Sequence, residues 1–105
     1  MTSTTILITG ANTGLGFETV KALLQSPTAY NIILSGRSIE KVEAAAKEAR
    51  TEFPTTTSVI KTLQLDIEED DSITKAFDFV EKEFGVLDVL INNAGLSSLL
   101  LLSLP

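Results

Sequence analysis

Short apolar runs alternate with amphipathic stretches along this chain, and that alternation leaves very few architectures open to it. "TTILITG" (Thr4–Gly10) is rich in Ile and Thr and apolar on both faces, as a buried parallel strand is. "NIILSG" (Asn31–Gly36), "SVIKTLQLD" (Ser58–Asp66) and "VLDVLIN" (Val86–Asn92) read as three more strands. Between them apolar residues recur at helical spacing. Phe17, Val20, Leu23 and Leu24 form the first stripe, ended by Ser26-Pro27, since proline lacks the N–H and its predecessor avoids the α region. Val42, Ala45, Ala46, Ala49 and Phe53 form the second, with Ser38 as its cap and Pro54 beyond it. Ile73, Ala76, Phe77, Val80 and Phe84 form the third, behind the N-cap candidates of "EEDDS" and before Gly85, a natural C′ residue. The order β-α-β-α-β-α-β with short connections implies an α/β fold: a parallel sheet, right-handed crossovers and helices on both faces.

The 105 residues suffice for one domain or part of one. A content of 44% hydrophobic and 21% charged residues fits a soluble globular chain. The net charge of −6 argues against a nucleic-acid or anionic-membrane partner. Without Cys or His there is no disulfide, thiolate or imidazole chemistry. The carboxylates of "IEEDD" (Ile67–Asp71) fan around a helix start, where they suit its positive end, and no metal site is expected. The N-terminus has no signal-peptide pattern, and "SSLLLLSLP" (Ser97–Pro105) is too short to span a bilayer, so a cytoplasmic location is expected.

Gly10, Gly14 and Gly16 crowd into the turn between the first strand and the first helix. A helix start offers unsatisfied N–H groups and partial positive charge, which suit a phosphate or pyrophosphate. One glycine lets the chain reverse, one lets backbone approach the ligand, and one lets helix pack on strand. The spacing G-x3-G-x-G is neither the G-x-G-x-x-G fingerprint nor the G-x4-G-K-[ST] phosphate loop. The plainer alternative is a turn that merely uses glycine.

"TGANTGLG" (Thr9–Gly16) is similar to the T-G-x-x-x-G-x-G signature of the short-chain dehydrogenase/reductase family. "NNAG" (Asn92–Gly95) resembles that family's second motif and follows the fourth strand, as it does there. "LQLDIEED" (Leu63–Asp70) resembles the end of the family's third strand, with Asp66 where the adenine is contacted. The resemblance implies a Rossmann-type fold over residues 1–95 that binds a nicotinamide dinucleotide. Gly10, Asn12, Gly14, Leu15 and Gly16 would line its pyrophosphate and ribose. Asn92, Ala94 and Gly95 would lie beneath it and brace the central strands.

Cofactor choice turns on "LSGRS" (Leu34–Ser38). An acidic residue near the end of the second strand would accept from the 2′-hydroxyl of NAD, whereas an Arg accommodates the 2′-phosphate of NADP. No carboxylate is present; Arg37 stands between Ser35 and Ser38, and Ser38 could add a bond at the helix start. NADP is expected over NAD, the alternative being a solvated loop arginine.

The family's chemistry resembles hydride transfer assisted by a Tyr-x3-Lys pair and a serine. The only tyrosine, Tyr30, has Leu34 four residues on, so no catalytic residue is assigned within Met1–Pro105. The chain is therefore expected to be the cofactor-binding portion of an NADP-dependent oxidoreductase, truncated after the fourth strand. That strand would be an open edge, available for self-association. Leu96–Pro105 is expected to be an irregular apolar tail. A non-catalytic nucleotide-binding or interaction module, or a fragment without function of its own, is the alternative.

Overall fold

Among the described residues, seven elements follow in the order the periodicity implies, β1 (Thr4–Thr9), α1 (Gly14–Leu24), β2 (Tyr30–Gly36), α2 (Ile39–Glu52), β3 (Val59–Gln64), α3 (Asp70–Phe84) and β4 (Val89–Asn92), and an eighth, β5 (Leu100–Ser103), comes after them. The computed structural model describes residues 3–12, 14–66, 69–92 and 100–103. The sheet order is β3-β2-β1-β4-β5, with the first four strands parallel. This is the Rossmann-type arrangement expected from the sequence.

β1 is buried on both faces because helices cover both. Ile6 and Ile8 point to one side, with Ile32, Leu34 and Ile60, against Val20 and Leu24 of α1 and Val42, Ala45, Ala46 and Ala49 of α2. Leu7 and Ile33 point to the other, with Leu65, against Ala76 and Val80 of α3. The alanine stripe lets α2 lie close to the sheet. Each large aliphatic side chain so buried contributes about 1.5–3 kcal/mol.

The helix ends follow local chemistry. Ser38 caps α2, its Oγ accepting from the Lys41 N–H at 3.4 Å. α3 closes at Gly85, whose φ of 84° places it in the left-handed region while its N–H donates to the Glu81 carbonyl at 2.9 Å. The start of α3 departs from expectation. Its cap, Glu69, makes no side-chain cap bond; instead Ser72 Oγ accepts from the Asp66 N–H at 2.9 Å, tying the first turn back to the end of β3.

Two strands are shorter than their apolar runs. β3 ends at Gln64, ahead of Leu65 and Asp66 of its run, because Leu65 turns into the core on the α3 side. β4 begins only at Val89. Ahead of it, Val86 is exposed, Leu87 turns into the core, and Asp88 grips the start of β1. The Asp88 carboxylate accepts from the Thr5 N–H at 2.7 Å, and the Asp88 N–H donates to the Thr5 carbonyl at 3.1 Å.

The expected open edge at β4 is not there, and the tail is not irregular throughout. β5 runs antiparallel to β4 in the register Asn92↔Leu100 to Val89↔Ser103. The direction has a physical cause: a parallel return needs a dozen or more residues, and only residues 93–99 separate the two strands. Four leucines lack strand periodicity, but β4's unpaired N–H and C=O groups template any extended segment laid beside them. Self-association through β4 would have to displace β5.

Candidate functional site

The parallel strands finish nearly level. Thr9 of β1 pairs with Asn92 of β4, and Gly36 of β2 pairs with Gln64 of β3. The strand order reverses between β1 and β4, the place in an open α/β sheet where a crevice forms beyond the carboxyl ends. Gly10–Asn12, Gly14–Gly16, Arg37–Ser38, Asp66 and Asn92 all follow or end these strands, so the fold gathers them along one rim.

Gly10 and Gly14 both have φ of 58°, a conformation L side chains seldom adopt. A Cβ on Gly14 would meet nothing within 4 Å, so its backbone faces open space that a ligand could enter. Gly16 is buried on α1, and Leu15 beside it is 72% exposed. The loop is pinned at its base by the Ala11 N–H donating to the Ser35 carbonyl at 2.8 Å.

Arg37 is exposed at the end of β2. Its carbonyl accepts from Gln64 Nε2 at 3.0 Å, which anchors its backbone to β3 and leaves the guanidinium in solvent. Ser38 accepts from Lys41 through its oxygen and keeps its hydroxyl proton to donate. Ser35, expected beside Arg37 as a second hydroxyl, is placed elsewhere. It is 0% exposed and donates to the Ile8 carbonyl at 2.7 Å inside the sheet, because it lies within β2 whereas Arg37 lies beyond the strand's end. Asp66 is half-buried; its carbonyl accepts from the Glu69 N–H at 3.0 Å. Asn92 Oδ1 accepts from Thr9 Oγ1 at 2.8 Å. Ala94 and Gly95 lie outside the described residues.

Sequence reasoning passed over Gly36. A Cβ there would sit 2.6 Å from Asn12 Oδ1 and 2.9 Å from Val42 Cγ2. The signal was available: a glycine ending an apolar strand run marks a close approach.

On the α3 side of the same rim, a pocket of about 340 Å³ is lined by Leu7, Thr9, Leu65, Ile73, Ala76, Phe77, Leu90 and Asn92. Phe77 is 42% exposed at its margin. Among the described residues, no helix is long and apolar enough to cross a membrane.

The family model for short chain dehydrogenases matches residues 4–103. The chain belongs to the short-chain dehydrogenase family. The match runs from the first residue of β1 to the last residue of β5. A short-chain dehydrogenase/reductase of Phoma sp, eupG, is 51% identical over 90 residues, covering 85% of this chain and 32% of the relative. Carbonyl reductase (NADPH) 1 of Sus scrofa is 38% identical over 91 residues, covering 87% of this chain and 30% of the relative. Among solved structures, menthone neomenthol reductase from Mentha piperita superposes with a TM-score of 0.82 at 33% identity, covering 91% of this chain and 33% of that one. The short-chain dehydrogenase chain described here thus spans about a third of the length of these relatives. As a member of this oxidoreductase family it carries the fold that serves a nicotinamide dinucleotide.

Proposed function

We propose that this chain is the NADP(H)-binding portion of a short-chain dehydrogenase whose complete form moves a hydride between NADP(H) and a carbonyl or alcohol substrate. The observation that carries the reading is Arg37: an exposed guanidinium at the end of β2, with Gln64 holding its backbone and no carboxylate beside it in "LSGRS". A guanidinium so placed takes a 2′-phosphate through paired charge-assisted bonds, where an acidic residue would take a 2′-hydroxyl. The relative in Sus scrofa, named for NADPH, supports the same choice.

The residues present fit such a ligand. The open space at Gly14 gives backbone N–H groups access to a pyrophosphate at the start of α1. Gly10, Asn12, Leu15 and Gly16 shape the rest of that cradle. Arg37 and Ser38 hold the 2′-phosphate, and Asp66 bounds the adenine. Asn92, at the end of β4, lies beneath the dinucleotide, the role the family resemblance also gives Ala94 and Gly95. Bound there, the dinucleotide supplies the hydride; these residues bind and orient it, and none is assigned as an acid or base.

Titration of the chain with NADPH and with NADH, read by nicotinamide fluorescence, tests the reading. Saturable binding with NADPH the tighter ligand is expected. Equal or reversed affinities would remove the NADP assignment, and no binding of either would remove the site.

A further inference from the structure

Gly36 is held from both sides. The Ala11 N–H donates to the carbonyl of its predecessor Ser35 at 2.8 Å, and its own carbonyl accepts from the Leu65 N–H at 2.8 Å. These bonds fix the end of β2 between the glycine loop and the end of β3, so the backbone at Gly36 cannot retreat cheaply. Against the place a Cβ would occupy lies the carboxamide of Asn12, with Oδ1 2.6 Å from that position and Cγ 3.5 Å from it, too close for the Cβ to be added without displacement. Also against that position is Val42 Cγ2 of α2 at 2.9 Å. Gly36 has no positive φ. Glycine is therefore required here by what it leaves empty, not by its backbone conformation.

We propose that Gly36 is a positioning residue for the glycine loop: the space of its missing Cβ seats the Asn12 carboxamide and holds the loop in its ligand-accepting shape. The two groups that meet at the seat yield differently. Val42 is β-branched with a restricted χ1, and it sits in the packed face of α2, so it gives little. Asn12 Oδ1 is the free end of a side chain on a loop, so an added methyl displaces Asn12 first. That displacement reaches Ala11, the neighbouring residue whose N–H pins the loop to β2. It also falls one residue before Arg37, so the seat joins the pyrophosphate side of the crevice to the 2′-phosphate side. The ligand part of this inference rests on the dinucleotide reading above; the seat itself does not.

A double-mutant cycle of Gly36→Ala and Asn12→Ala tests it, with two readouts on each variant: NADPH affinity, and the hydrogen-exchange rate of the Ala11 amide without ligand. Alone, Gly36→Ala is expected to weaken NADPH binding and speed Ala11 exchange by about fivefold or more each, within the range that touching side chains couple. In the Asn12→Ala background the same change is expected to alter either by less than about twofold. Any loss of melting temperature caused by Val42 would persist in both backgrounds. Equal effects of Gly36→Ala in the two backgrounds would overturn the proposal, as would no effect in either. If the wild-type chain does not bind NADPH, the dinucleotide reading fails and the exchange cycle still decides the seat. If Gly36→Ala does not fold, the cycle is run with Val42→Ala throughout, which removes the second obstructing methyl.

Discussion

Thr9 Oγ1 donates to Asn92 Oδ1 at 2.8 Å, joining the last residues of β1 and β4 at the point where the strand order reverses. Thr9 is buried, so the bond forms where water competes poorly. It fixes the separation of the two strand ends that flank the crevice. Thr9→Val keeps the shape and removes the donor. A loss of about 1–2 kcal/mol is expected in urea unfolding at unchanged slope. No loss would mean the pair is incidental.

Asp88 is bonded both ways to Thr5 and so aligns β4 with the start of β1. Asp88→Ala leaves the N–H of a buried residue without its carboxylate acceptor. The cost expected is about 1–3 kcal/mol, the range for stranding a buried donor, read from the same unfolding curves.

Gly14 separates conformational from steric cost. Its φ is 58°, yet a Cβ would touch nothing within 4 Å. Gly14→Ala is expected to lose about 1–2 kcal/mol from left-handed backbone strain alone. Gly14→Asn is expected to lose less, because Asn tolerates that region better. Equal losses would show that φ is not what selects glycine here.

On the reading proposed above, Arg37 decides between NADP and NAD. Arg37→Asp removes the guanidinium and sets a like charge against the 2′-phosphate. NADPH affinity is expected to fall about tenfold to a hundredfold, the range for lost charge-assisted bonds, with NADH affected much less. Parallel losses for both ligands would assign Arg37 to the shared part of the dinucleotide or to the fold.

Most of the fold was legible because each element announces itself locally. Buried runs, apolar stripes and their stops at Pro27, Pro54 and Gly85 gave seven elements in order. What stayed hidden depends on residues far apart in sequence. The Thr5–Asp88 grip shortens β4 from its apolar run, and nothing near Val86 signals it. The inward turn of Ser35 needs the register of β2 on β1. β5 was missed because four leucines have no strand period; its pairing comes from the edge β4 offers. The left-handed turns at Gly10 and Gly14 were legible from glycine itself, whereas Gly36 acquires meaning only once Asn12 is seen lying against it.

The most direct measurement is a map of backbone amide shifts in the 15N-labelled chain as NADPH is added. Saturable changes concentrated at Gly10–Gly16, Arg37, Ser38, Asp66 and Asn92, with the far end of α3 near Phe84 unmoved, are expected. Changes centred elsewhere, or none at saturating NADPH, would contradict a dinucleotide site at the carboxyl ends of β1 to β4.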